Sequence, residues 1–202
     1  MKALIITASK HGSTAEIGGV IGEVLLEHGI KTDVQLGPEA VSSLHGYDVA
    51  VLGSAVYAGH WMKSMRVLAE RFAEELAARP VWLFSSGPIG DPPKPDEDPV
   101  DVARVMEMTG ALGHAVFAGK IDKSRLGFGE RAVVSALKVP SGDFRDWDEI
   151  RRWATGIAQE RRPRCDLVPH ATVSAEGIER FADTGGSIES ADIPGQGMKH
   201  LA

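Results

Sequence analysis

Apolar positions recur along this chain in two alternating rhythms. Ala3-Leu4-Ile5-Ile6 is a continuous apolar run beside turn residues, the pattern of a strand buried on both faces in a parallel sheet. From Thr14 to His28, Ile17, Val20, Ile21, Val24 and Leu25 follow at i, i+3, i+4, i+7 and i+8, with Glu16, Glu23 and Glu27 off that stripe. This spacing predicts an amphipathic helix that stops near Gly29. Ile30, Thr32, Val34 and Leu36 then alternate with Lys31, Asp33 and Gln35, which predicts an edge strand exposed on one face.

The alternation of strand and helix continues through Val49–Leu52, Met62–Ala78, Val81–Phe84, Val100–Met108, Ala115–Phe117 and Ile150–Ala158. Five strands, each followed by helical material, predict an α/β fold: a doubly wound parallel sheet with helices on both faces. A central first strand and an edge-like second select the order 2-1-3-4-5. Asp98 with Pro99 reads as N-cap and N1 of one helix, and Asp146 with Glu149 as a capping-box-like pair ahead of Ile150. Residues 1–160 form one expected domain with an insertion at about 120–145. Three segments stand outside the repeat: the proline- and acid-rich Gly87–Pro99, Lys120–Arg145, and 161–202, which reads as a C-terminal extension, an arm or a mobile tail.

Composition narrows the function classes. The 202 residues suit one hydrophobic core, with 43% apolar and 25% charged residues typical of a globular protein. A net charge of -6 disfavours nucleic-acid binding. The single cysteine, Cys165, cannot form an internal disulfide or a CxxC pair, so the expected location is cytoplasmic. No apolar run exceeds four residues, so neither a signal peptide nor a spanning helix is expected, and any membrane contact would be peripheral, on the inner face. The seven histidines show no short metal-ligand spacing, and no metal site is expected.

In an open parallel sheet ligands bind beyond the carboxyl ends of the strands, beside the switch point. After the first strand, Thr7-Ala8-Ser9-Lys10-His11-Gly12-Ser13-Thr14 is a hydroxyl- and glycine-rich turn opening into a helix. Such a turn aims N–H groups, hydroxyls and the helix dipole at a phosphate, although ordinary N-capping by Ser13 or Thr14 is the plainer reading. After the third strand, Gly53-Ser54-Ala55-Val56-Tyr57-Ala58-Gly59-His60-Trp61 combines small residues, which admit a flat ring, with Tyr57 or Trp61 to stack on it. Trp61 reads equally as a core contact. Ser85-Ser86-Gly87-Pro88-Ile89-Gly90-Asp91 follows the fourth strand. Rival chemistries fail: Thr7-Ala8 and Gly53-Ser54 stand where a phosphoryl-accepting receiver needs acids, Cys165 has no phosphate-cradling loop, and neither GxxxxGK[ST] nor a strand-following GxGxxG is present.

These three loops, with the Lys120–Trp147 insertion, resemble the flavodoxin-like proteins and, within them, the menaquinone-dependent protoporphyrinogen oxidase family, over about residues 1 to 160. The flavodoxin phosphate loop reads [ST]-x-T-G-x-T; Ser9-Lys10-His11-Gly12-Ser13-Thr14 matches it except at His11. The resemblance implies FMN as cofactor. Its phosphate would lie against Ser9, Lys10, His11, Gly12, Ser13 and Thr14, and its ring between Ser54, Ala55, Val56, Tyr57, Ala58, Gly59 and His60 on one side and Ser85, Ser86 and Gly87 on the other. The insertion, running from Lys120-Ile121-Asp122 through Pro140-Ser141-Gly142-Asp143 to Asp146-Trp147, resembles the long loop that distinguishes these oxidases from plain flavodoxins.

From Lys120 to Lys138 the insertion carries five basic and two acidic residues, and Arg131, Ser135 and Lys138 share one helical face at i, i+4 and i+7. Such a stretch suits an anionic membrane, through 120–140, or the propionates of a tetrapyrrole held by Arg125, Arg131 or Lys138; a solvated basic face is the alternative. The resemblance implies an FMN-dependent oxidoreductase that passes electrons from a reduced tetrapyrrole through FMN to a quinone. A flavodoxin-type electron carrier, an FMN quinone reductase fed by a nicotinamide or deazaflavin donor, and a flavin-free contact domain stay open, as does a homo-oligomer. No side chain stands out as an acid or base.

Overall fold

The computed structural model of the protein describes residues 1–87, 98–122 and 141–160. The elements are β1 (Lys2–Ala8), α1 (Ser13–Glu27), β2 (Lys31–Leu36), a 3-10 turn at Pro38–Ala40, β3 (Val49–Tyr57), β4 (His60–Trp61), α2 (Lys63–Arg71), α3 (Ala73–Ala77), β5 (Val81–Ser86), α4 (Val102–Thr109), β6 (Gly113–Phe117), β7 (Lys120–Ile121), β8 (Gly142–Asp143) and, labelled α5 here, Trp147–Gln159. The main sheet runs β2-β1-β3-β5-β6, all parallel, with the short β4 antiparallel to β3. The five principal strands thus have the expected 2-1-3-4-5 order.

The period of two along each strand divides the core into two layers. On β1, Ala3 and Ile5 face α1 and α5 together with Val51, Phe84 and Phe117, whereas Leu4, Ile6 and Ala8 pack with Leu52, Leu83 and the apolar faces of α2 and α4. Phe84, Phe117 and Trp153 meet with ring centroids 5.5 to 6.2 Å apart, in tilted and edge-on contacts. Burial on both sheet faces explains why β1 and β3 read as unbroken apolar runs. Among the described residues β2 pairs with β1 alone; its start is covered by α1, where Thr32 Oγ1 donates to Gly22 O, but Val34 and Leu36 emerge into solvent.

Three local expectations are corrected. The single helix expected over 62–78 is broken between α2 and α3 at Phe72, whose backbone (φ -110°, ψ 21°) departs from helical geometry where its side chain enters the core. α4 begins at Val102, past Asp98 and Pro99. Its flanking Asp101 makes no side-chain cap because its carboxylate is drawn to the β3–β4 hairpin. β3 continues to Tyr57, so most of the expected second loop is strand. The Asp146 cap is observed as expected: Oδ1 accepts from the N–H groups of Asp148 and Glu149, both at 2.9 Å.

Candidate functional site

The carboxyl ends of β1, β3 and β5 bring the three candidate loops to one edge of the sheet. At the first, the turn is tied by its own side chain: Ser9 Oγ accepts from Gly12 N–H at 3.0 Å, and Gly12 stands in the left-handed region at φ 91° as the residue before α1. Neither Ser13 nor Thr14 caps the helix. Instead, Ser13 Oγ and Thr7 Oγ1 are buried without a hydrogen-bond partner, and with Arg66 Nε they are the unsatisfied buried side-chain atoms among the described residues. Such atoms cost free energy in an empty fold and mark where a polar group is wanted. His11 and Ser13 line a cleft of about 50 Å³ with Lys120 and Asp122. The orphaned Ser13 hydroxyl and the N–H groups that open α1 form a donor set suited to a phosphate, whereas the Thr7 side chain, near the end of β1, packs against Gly18 of α1.

A buried arginine underlies this turn. The Arg145 side chain is 2% exposed; it is bidentate to Asp143 (Nε–Oδ1 2.7 Å, Nη2–Oδ2 2.6 Å), reaches Glu16 at 2.8 Å and lies 4.3 Å from the Trp147 ring centroid. Its Nη1 also donates to Ser13 O at 3.4 Å. Burial would lower the Arg145 pKa, but its hydrogen bonds to Asp143 and Glu16 outweigh that and raise it. The same hydrogen bond, opposed by partial burial, holds the Asp143 carboxyl below its ordinary value. β7 and β8 pair at the base of the insertion, so Arg145 ties that base to the first turn of α1.

The second loop is a two-residue hairpin. Tyr57 and His60 pair across Ala58 (φ 50°) and Gly59 (φ 78°), the two positive φ angles of a type I′ turn, in which alanine is unfavourable. Tyr57 is 40% exposed, and Lys10 Nζ stands 5.8 Å from its ring centroid. Trp61 is core, 1% exposed, and its Nε1–H donates to Ser85 Oγ at 2.8 Å, so of the two aromatics Tyr57 is the one available to stack on a ligand. The small residue at Gly53 answers to the fold itself: a Cβ there would lie 2.0 Å from the Phe84 ring. Ser54 Oγ donates to Ala55 O and accepts from Met62 N–H, so the Ser54 hydroxyl serves the scaffold.

At the third loop Ser85 is fully buried. Its Oγ lies 2.8 Å from Nε2 of His114, whose Nδ1 is 3.5 Å from Asp98. Burial outweighs Asp98 and lowers the His114 pKa. A neutral ring protonated at Nδ1 accepts the Ser85 proton at Nε2, which satisfies every member of the chain. Ser86 is buried as well, and Gly87 N–H donates to Phe117 O. Ser9, Lys10, His11, Gly12, Ser13 and Thr14 are therefore brought to one edge with Val56, Tyr57, Ala58, Gly59 and His60. The hydroxyls of Ser54 and Ser85 point to internal partners. Arg125, Arg131 and Lys138 lie outside the described residues.

Sequence reasoning missed Asp101, His114 and Arg145. Asp101 meets His60 across 41 positions, and Arg145 meets Ser13 across 132, so no local spacing announces either pair.

Comparisons with known proteins agree with this fold. The family described as "Flavodoxin domain" matches residues 4–148. An Escherichia coli K12 protein named protoporphyrinogen IX dehydrogenase [quinone] is 24% identical over 172 residues, covering 78% of this chain and 95% of that one. Among solved structures, oxidised flavodoxin 1 from Bacillus cereus superposes with a TM-score of 0.55 at 15% identity, over 80% of this chain and all of that one. An archaeal flavodoxin gives 0.51 at 17% identity, over 78% and 96%. At these identities the two structures speak for the fold.

Proposed function

This chain belongs to the flavodoxin-domain family, and from that premise we propose that it is an FMN-dependent oxidoreductase passing electrons from a reduced tetrapyrrole through FMN to a quinone. The observation that carries the reading is the buried, unpartnered Ser13 Oγ at the turn that opens α1, where it lines a cleft with His11. The relative named protoporphyrinogen IX dehydrogenase [quinone], matched over 95% of its length, supports the substrate pair.

Bound FMN supplies a ring that accepts a hydride and returns its electrons singly or in pairs. The chain's own residues do the rest. Ser13 Oγ and the N–H groups of the turn bind the phosphate, and Ser9, by holding Gly12 N–H, keeps the turn in shape. The Ala58–Gly59 turn sets Tyr57 against the ring site, and Lys10 beside Tyr57 adds a cation near the anionic ligand. Arg125, Arg131 and Lys138 are the proposed carboxylate-binding residues, and 120–140 the proposed membrane-facing segment. Among the described residues, no helix is long and apolar enough to cross a membrane.

The test is an absorbance spectrum of the purified protein and an FMN titration, followed by oxidation of protoporphyrinogen with a quinone. Tight FMN binding and turnover above autoxidation are expected. Absence of FMN binding removes the flavin reading; FMN binding without turnover removes only the substrate.

A further inference from the structure

His60 follows the Ala58–Gly59 turn directly and pairs in register with the exposed Tyr57. Its Nδ1 lies 3.1 Å from Asp101 Oδ2, and that oxygen also accepts Trp61 N–H at 2.9 Å. Arg66 Nη1 reaches the other oxygen at 3.3 Å, and the Asp101 side chain is only 15% exposed. Asp101 thus has a guanidinium donor on one oxygen and a backbone N–H on the other, which fix the carboxylate in place. A carboxylate only accepts, so Nδ1 of His60 must carry the proton. In the neutral ring the lone pair is then on Nε2, on the opposite edge from Asp101, in a side chain that is 51% exposed. Tyr57 and the 72% exposed Val100, whose N–H donates to Gly59 O, supply apolar surface around the hairpin.

We propose that His60 is the proton acceptor of this site, oriented by Asp101, and that the surface around it takes a flat, largely apolar nitrogen heterocycle. This role rests on the FMN-dependent function proposed above. Two-electron oxidation of a reduced pyrrolic macrocycle removes a hydride from carbon and a proton from nitrogen. Bound FMN would supply the two-electron acceptor for that hydride. The proton passes to Nε2 of His60, the imidazolium is balanced by the Asp101 carboxylate, and the proton then leaves to water. A histidine whose far nitrogen is held by a carboxylate is the usual arrangement of a general base. Asp101 is the positioning residue.

Two experiments test this. In flavin-free protein with 15N-labelled histidine, the neutral His60 ring is expected as the Nδ1–H tautomer, and Asp101→Asn is expected to weaken that preference. The parent chain, His60→Ala and His60→Gln are compared at saturating FMN, so that a change in affinity is separated from a change in rate. Bleaching of the two variants by protoporphyrinogen is expected to be slower by about 10²-fold or more, while bleaching by dithionite, which needs no base, keeps its rate. Added imidazole is expected to restore part of the rate to His60→Ala and none to His60→Gln. An Nε2–H tautomer, a parent-like rate in His60→Ala, equal slowing with dithionite, or no rescue overturns the role of His60 and leaves FMN binding standing. A parent chain that fails to bind FMN, or binds it but is not bleached by protoporphyrinogen, overturns the proposed function and this role with it.

Discussion

The two ends of the candidate site are built differently. At the first turn the protein buries the Ser13 hydroxyl and leaves it unanswered, as it does that of Thr7 in the adjoining β1, with the charge of Arg145 enclosed by Asp143 and Glu16. At the hairpin the side chains of Ser54, Ser85, Trp61 and Asp101 bond one another or the backbone, Arg66 Nε alone of that cluster is buried without a partner among the described residues, and what faces outward is Tyr57, Val100 and His60. Unanswered donors in a rigid turn suit a small anion of fixed shape, because binding removes a desolvation penalty already present. A largely satisfied scaffold with an exposed aromatic suits a flat ring and a second molecule that comes and goes.

Arg145→Met attacks the first end where it should be most sensitive. It leaves Asp143 and Glu16 without their cation, and because both carboxylates are partly exposed the expected loss is about 1–3 kcal/mol rather than the larger cost of a sealed pair. A lower midpoint in urea, together with weaker FMN binding, would be the sign; unchanged FMN affinity would separate Arg145 from the site. pH sharpens the same point. The Asp143 carboxyl is lowered from 3.8 in the folded chain, so its contribution is complete above that value and is lost as pH falls through the lowered one. Asp143→Asn should therefore be less stable than the parent near neutrality, and the difference should shrink in acid below about pH 4.

Ser13→Ala separates binding from folding. Removing an unpartnered buried hydroxyl should leave the thermal midpoint of the flavin-free chain unchanged or higher, while FMN affinity falls about ten-fold or more, since a hydrogen bond to a charged group is worth roughly 1.5–3 kcal/mol. A loss of stability without loss of affinity would refute the assignment. At the other end, Ala58→Gly should raise the melting temperature by about 2–4 °C, as expected for relief of about 1 kcal/mol of left-handed strain in a chain of this size. Calorimetry on the two proteins decides it. The smallest effect is expected at the opposite edge of the sheet, where Tyr47 Oη donates to Asp33, and Lys2 pairs with the same carboxylate. The Lys2 and Tyr47 hydrogen bonds to Asp33 lower its pKa, yet the group is solvated, so Tyr47→Phe should change neither the melting curve nor FMN binding detectably.

Much of the architecture was legible beforehand because it is written in local periods. Ile17, Ile21, Val24 and Leu25 define the buried face of α1, and the runs at residues 3–6, 49–52 and 81–84 mark strands covered on both sides. The phosphate turn was legible for the same reason, its glycine and hydroxyls being adjacent in sequence. Less legible were the break at Phe72, the late start of α4 and the extension of β3 to Tyr57, each decided by what a side chain or backbone meets in space.

Sequence alone therefore determined the order of strands, the faces of the helices and the place where three loops converge, since these follow from patterns repeated every two or 3.6 residues. Tertiary structure alone decided which polar groups in those loops are satisfied. It set Asp101 on His60, Arg145 on Glu16 and Ser85 between Trp61 and His114, and it left Thr7 and Ser13 without partners. The physical reason is range: burial periodicity is a property of a short segment, whereas a hydrogen bond or ion pair joins whichever groups the packed sheet brings within about 3 Å.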